Sequence, residues 1–186
     1  MTLGDGPDPP RLDAAPVEAA IADLAPLFEG APRFLARLVA QRPFGTWDRL
    51  FERARRIAHA MPEPDQVELL DAHPRLGAPR GTVSAMSARE QGHDRADPTA
   101  AGSVAGVAGS DDVASTLARL NDAYEARFGF RYCVFVAGRP LAALVPAFEA
   151  ALGADRDAEL HRALDAVVDI ARARHEFGRP RDEATA

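Results

Sequence analysis

Asp71-Ala72-His73-Pro74-Arg75-Leu76-Gly77 sets a histidine where a helical pattern is stopped by proline, and the fold unrolls from it in both directions. Pro74 disfavours the helical conformation for the residue before it. His73 is therefore expected at a helix end, close to the last carbonyls, where a helix favours positive charge.

Upstream, a short helix from about Pro64 carries Val67, Leu69 and Leu70 into the histidine. Before it, Thr46 is a plausible N-cap for a helix that turns Trp47, Leu50, Phe51, Ala54 and Ile57 inward until Pro62. Arg33 to Gln41 reads as a helix with Phe34, Leu38 and Val39 buried and Pro43 as its stop. From Pro16, Val17, Ile21, Leu24 and Phe28 recur at helical steps until Gly30. Residues 1 to 14 hold Gly4, Gly6, Pro7, Pro9 and Pro10 with little to bury, and are expected to be a disordered leader.

Downstream, Arg75 to Ala85 is a loop that leads to Ser87-Ala88-Arg89-Glu90, the pattern of a capping box and so the expected start of another helix. Residues 92 to 110 are rich in Gly, Ala and Ser and read as a flexible connection, a lid or an insertion. From Asp111 a strong helix aligns Val113, Leu117, Leu120, Tyr124 and Phe128 before Gly129. Phe130 to Val136 is β-branched and aromatic, the one convincing extended stretch. Helices over Leu141 to Leu152 and Asp155 to Glu176 follow. The expectation is an all-α protein: a single domain of about eight helices over residues 15–177, one short extended segment near 130–136, and a flexible tail from 178 to 186.

Composition narrows the chemistry. The 186 residues are 47% hydrophobic, enough for one domain with a real core. No apolar run reaches the roughly 20 residues that span a bilayer, and no secretory leader is legible at Met1 to Pro10, which favours a cytoplasmic protein. The net charge of −6 is spread over alternating signs, without the basic stripe that nucleic acid requires. Cys133 is the single cysteine, so neither a disulfide within the chain nor a cysteine metal cluster is expected. All 22 basic residues are arginine. Schiff-base chemistry and attachment of pyridoxal phosphate are thereby excluded, and an enzyme built on this chain must find its electron sink elsewhere.

Candidate groups each have a plainer explanation beside the chemical one. His73 could cap its helix or pack in the core, and Glu90 could be spent on the capping box. On the last helix, Leu160, Leu164, Val167 and Ala171 form a stripe that Arg174 continues while Arg172 points away. A guanidinium on that line needs an anion, either a neighbouring Asp or Glu or a bound ligand. His59, His93, His161 and His175 share no metal-ligand spacing with His73, and no metal is expected. Ser84 and Ser87 lack the Gly-x-Ser-x-Gly elbow, and the glycines at 102, 106 and 109 do not form a phosphate loop.

Several pieces nonetheless fall in order: Arg42-Pro43-Phe44, His73-Pro74-Arg75-Leu76-Gly77, Ser87-Ala88-Arg89-Glu90-Gln91, Leu120-Asn121-Asp122-Ala123-Tyr124 with Arg127-Phe128-Gly129-Phe130, and Ile170-Ala171-Arg172-Ala173-Arg174. As a set, from about Pro16 to Glu176, the chain resembles the 2-oxo-4-hydroxy-4-carboxy-5-ureidoimidazoline (OHCU) decarboxylases of urate degradation. That resemblance implies an all-helical, cofactor-free enzyme, usually a homodimer, that converts OHCU to (S)-allantoin and carbon dioxide. It implies His73 as the catalytic acid/base, assisted by Glu90, with Pro74 lining the pocket. Substrate contacts would come from Ser87, Ala88, Arg89 and Gln91, from the backbone of Tyr132, Cys133, Val134, Phe135 and Val136, and from Arg174. Two departures stand out: the connection Gly92 to Asp112 is long, and Arg131 stands where the family usually has proline. The C-terminus shows no peroxisomal signal. The rival reading is a non-catalytic helical binding module.

Overall fold

Thr46 starts its helix by the mechanism its sequence suggests. In the computed structural model, which describes residues 8–82, 84–90 and 107–178, the Thr46 hydroxyl accepts the backbone N–H of Arg49 at 3.3 Å. Nine α-helices are described: α1 (Pro9–Ala14), α2 (Val17–Leu24), α3 (Pro32–Val39), α4 (Trp47–Ala60), α5 (Glu63–Asp71), α6 (Ala85–Glu90), α7 (Val107–Phe128), α8 (Val145–Ala151) and α9 (Arg156–Gly178). Tighter 3-10 turns add Ala25–Phe28, Arg80–Thr82 and Leu141–Leu144. Among the described residues there is no strand, so the protein is all-α as expected, and none of its helices is long and apolar enough to cross a membrane.

Three starting points differ from expectation. Helix α1 lies inside the stretch read as a disordered leader, because Asp8 accepts the N–H of Arg11 at 2.9 Å and Pro9 fits a first turn, where its missing N–H costs nothing. Residues 1–7 are outside the described ones. Helix α6 begins before Ser87: the Ser84 hydroxyl accepts the Ser87 N–H at 3.1 Å, which puts Ser87 inside the helix rather than at its cap. Ser84 competed for the same role and won by three residues. Helix α7 starts at Val107 rather than Asp111, and the flexible connection expected over 92–110 otherwise falls on residues outside the description.

The chain groups into two compact units, one from His73 to Ala163 and the other formed by residues up to Ala72 with those from Leu164 onward. In the unit His73–Ala163, Tyr124 is fully buried, with its ring centroid 4.5 Å from Phe128, 5.2 Å from Tyr132 and 5.7 Å from both Phe130 and Phe148. Tyr132 lies nearly parallel on Phe148 at 3.8 Å. These aromatics hold the 130–136 stretch by packing rather than by a strand ladder.

In the other unit, Phe28 and Phe34 meet at 4.8 Å, and Leu24, Leu38, Leu50, Ala54, Leu69, Val167 and Ala171 are buried with them. Arg42 ties α1 down, its Nη1 donating to the carbonyls of Leu12 at 2.9 Å and Ala15 at 2.6 Å, while Asp13 accepts the N–H groups of Phe44 and Gly45. A polar cluster joins α4 to α9. Arg55 meets Asp165 at 2.5 Å and Asp169 at 2.6 Å, and His59 Nε2 lies 2.8 Å from Asp165.

Burial pushes the Asp165 carboxyl up, but hydrogen bonds from His59 and Arg55 outweigh it and hold the group below its ordinary value. A carboxyl depressed in the folded state contributes stability above its unfolded value of about 3.9 and loses it as pH falls through the folded value. Asp165→Asn should therefore lower Tm at pH 7, and the gap to wild type should close below about pH 4, checked by thermal melts across that range.

Candidate active site

The turn that carries His73 is fastened to α7 at successive residues. Arg75 grips Glu125 with two parallel hydrogen bonds, Nε to Oε1 at 2.8 Å and Nη2 to Oε2 at 2.6 Å, and reaches Asp122 with Nη1 at 2.9 Å. The fork matches the flat carboxylate as a lysine ammonium could not. The Glu125 hydrogen bonds hold the guanidinium above its usual, already high value. Next, the Leu76 carbonyl accepts from Asn121 Nδ2 at 3.0 Å, and the same nitrogen donates to Leu117 O at 2.8 Å, with Asn121 only 3% exposed. Gly77 then adopts φ +80°, and a Cβ there would lie 2.8 Å from Leu117 Cδ1. Glutamate, asparagine and leucine on one face of α7 thus receive three consecutive residues of the turn.

The 130–136 stretch belongs to no helix and, among the described residues, to no strand, so its carbonyls need other donors. Arginine supplies them. Arg162 Nη1 donates to Cys133 O at 3.0 Å, while Arg139 donates through Nη2 to Phe135 O at 2.5 Å and through Nε to Val136 O at 3.0 Å. Arg162 is itself set by Glu159, with Nε to Oε2 at 2.9 Å and Nη2 to Oε1 at 2.7 Å. Glu159 is 3% exposed and also accepts the Tyr124 hydroxyl at 2.6 Å, so this buried carboxylate has a charge partner and a neutral donor together. Burial and the Glu159 charge push the Tyr124 phenol far above its ordinary range, which keeps it a hydrogen-bond donor.

A bridge joins the two features. Arg131, at the start of the stretch, donates from Nη1 to the carbonyl of His73 at 2.7 Å. His73 itself is 3% exposed, and Pro74 is half-buried beside it.

The remaining expected residues divide as follows. Tyr132, Cys133 and Val136 are buried, and Val134 and Phe135 half-buried, in the same unit as His73. Ser87 is 2% exposed and Ala88 half-buried within α6, which also contains Arg89 and Glu90; the side chains of those two, and all of Gln91, lie outside the described residues. With Ser87 inside the helix, the capping-box explanation for Glu90 loses its N-cap partner. Arg174 belongs to the other unit. It is 2% exposed, and its guanidinium donates to Glu29 Oε1 at 2.7 Å, Pro26 O at 3.1 Å and Leu27 O at 3.3 Å. The inward stripe therefore does hold a buried guanidinium, and a carboxylate of the same unit accepts from it.

Sequence reading missed Asn121, Glu159, Arg162 and the reach of Arg131. Glu159 and Arg162 sit three apart on one helix, a spacing that signals an ion pair, though not that its guanidinium serves a distant carbonyl. Among the described residues, no group of three His, Cys, Asp or Glu side chains is arranged to hold a metal. A cleft of about 660 Å³ between α4 and α9, lined by Phe51, Arg55, Arg56, His59 and Arg172, lies wholly in the other unit. Its Arg55 and Arg172 are engaged by Asp165, Asp169 and Asp48.

This chain has relatives among known proteins. The family model described as OHCU decarboxylase matches residues 13–176. The chain belongs to the OHCU decarboxylase family, and so to the carboxy-lyases. It is 30% identical over 148 residues to the 2-oxo-4-hydroxy-4-carboxy-5-ureidoimidazoline decarboxylase of Haloferax volcanii, covering 80% of this chain and 82% of that one. It is 29% identical to the protein of the same name in Halalkalicoccus jeotgali, over 92% of each. It also matches the uric acid degradation bifunctional protein PucL of Bacillus subtilis at 30% identity, spanning 81% of this chain and only 28% of that protein. Among solved structures, an OHCU decarboxylase crystallised in the presence of (S)-allantoin superposes with a TM-score of 0.61 at 20% identity, over 88% of this chain and 97% of that one. An (S)-allantoin synthase does so with a TM-score of 0.61 at 18% identity, covering 93% of this chain and about half, 54%, of that one. At these identities the structural likenesses speak for the fold.

Two glycines with the same backbone angle provide a test of the clamp. Gly77 and Gly129 both have φ +80°, but only Gly77 has a neighbour within contact range. Gly129→Ala should cost the left-handed strain alone, about 1 to 2 kcal/mol. Gly77→Ala should cost about 1 to 3 kcal/mol more, because fully packed Leu117 must shift, a difference read from urea denaturation midpoints.

Proposed function

We propose that this protein decarboxylates OHCU to (S)-allantoin in urate degradation, without a cofactor, with His73 as the acid/base. The observation that carries the reading is the buried histidine held on the α7 clamp, within a family match that spans most of the chain. The relatives named for this reaction support its substrate.

The chemistry suits a chain without lysine. The substrate carries its carboxylate on a carbon next to a ring C=N. When the carbon–carboxylate bond breaks, its electron pair forms a C=C bond to the C=N carbon, the displaced C=N pair takes a proton at the ring nitrogen, carbon dioxide leaves, and an enol remains. Protonation of the enol on one face yields a single allantoin enantiomer. The protein has to orient the scissile bond, stabilise the charge that develops, and deliver the proton. In this proposal His73 delivers the proton and Glu90 tunes it or holds the substrate hydroxyl.

Pro74, Ser87, Ala88, Arg89 and Gln91 would contact the substrate, and the backbone of Tyr132 to Val136 would pair with ureido and ring amides. Fixing the carbonyls of Cys133, Phe135 and Val136 from outside fits that role, since it sets the peptide planes before substrate arrives. Arg174 would bind an anionic group only by sharing the guanidinium that already meets Glu29, and it has the lesser part. A homodimer in the cytoplasm belongs to the same reading, the dimer resting on the resemblance. In the rival reading of a binding module, the α7 clamp would serve only stability.

Freshly generated OHCU separates these readings, because it decays on its own to racemic product. Wild type should accelerate its loss and give one enantiomer. His73→Asn should lower kcat by roughly 10²- to 10⁴-fold while the helical circular dichroism is kept. No acceleration by wild type would sink the proposal, and an active His73→Asn would remove the histidine from the mechanism.

A further inference from the structure

The peptide that follows His73 is His73–Pro74, and proline has no N–H to anchor it. The only polar main-chain group in that linkage is the His73 carbonyl. It accepts a charge-assisted hydrogen bond from Arg131 at 2.7 Å, within the short range typical of ionised donors. Beyond Pro74 the turn is fixed to α7 through Arg75, Leu76 and Gly77. None of these contacts is made by the His73 carbonyl itself, the group bonded to the Cα from which the imidazole swings through two torsions.

We propose that Arg131 is a positioning residue, holding the His73 main chain so that the imidazole meets the substrate carbon at a fixed angle. This rests on the function proposed above. Arg131 is half-buried and sits between buried Phe130 and Tyr132, so packing on either side sets its Cα. The stretch it opens has its carbonyls held by Arg162 and Arg139. Arg131 is thus the strut between the backbone proposed to hold the substrate and the residue proposed to protonate it. A strut of this kind acts on the chemical step: a misaligned donor still allows binding but transfers its proton less often and with less facial preference.

The test uses the full chain, with Arg131→Ala and Arg131→Lys beside wild type and His73→Asn. Arg131→Ala should lower kcat roughly tenfold with KM within about twofold, and should reduce the enantiomeric excess of allantoin. Its urea midpoint should stay near wild type, and Arg131→Lys, which keeps a cationic donor, should recover part of both kcat and enantiomeric excess. Independently of turnover, the His73 imidazole signal in nitrogen-15 NMR spectra, identified by its loss in His73→Asn, should shift in Arg131→Ala. Wild-type kcat and stereochemistry in Arg131→Ala, or an unmoved His73 signal, would overturn the positioning role while leaving the decarboxylase reading intact. If wild type does not accelerate OHCU loss, the function fails first and the positioning role with it.

Discussion

A main-chain carbonyl at a helix end or in a segment outside helices and strands needs a donor, and in this chain the donor is repeatedly a guanidinium. Arg42 serves the carbonyls of Leu12 and Ala15, Arg156 that of Phe128, Arg162 that of Cys133, Arg139 those of Phe135 and Val136, Arg131 that of His73, and Arg174 those of Pro26 and Leu27. Five donors in a rigid plane let one arginine join a carbonyl to a carboxylate, as Arg162 does between Cys133 and Glu159. A lysine could neither span these pairs nor keep their angles. The absence of lysine, first read as a limit on covalent chemistry, is also a feature of how the irregular segments are held.

The histidine turn shows what such holding achieves. A buried imidazole is useful for proton transfer only when its surroundings decide where it points, and a loop alone decides little. Here α7 presents Leu117, Asn121, Asp122 and Glu125 along one side, and the turn lays Gly77, Leu76 and Arg75 against them. Two fragments that look like separate motifs in the sequence are the two halves of one contact. The pairing explains why the glycine cannot carry a side chain and why the arginine is paired with carboxylates rather than offered to a ligand.

Much of the helical order was legible because each element carries its own punctuation. Thr46, the prolines at 62 and 74 and Gly129 mark boundaries by backbone chemistry that acts within a few residues. Where two local signals competed, the reading slipped: Ser84 and Ser87 both suit an N-cap, and only packing chooses between them. Residues 9–14 looked featureless because a short helix with little to bury gives no periodicity, while its support, Arg42 and Asp13 bonding across some thirty positions, has no local trace.

The sequence by itself determined that this protein is all-α, that His73 sits where a helix is broken, and that any acid/base chemistry built on this chain must proceed without lysine. Those properties follow from composition and from rules that act over one or two turns of chain. Only the tertiary structure decided that Arg75 belongs to Glu125, that Arg174 meets Glu29, and that Arg131 reaches His73. Each guanidinium had several possible carboxylates and carbonyls. The choice among them is made by which helices pack together, a long-range outcome that residue spacing does not encode.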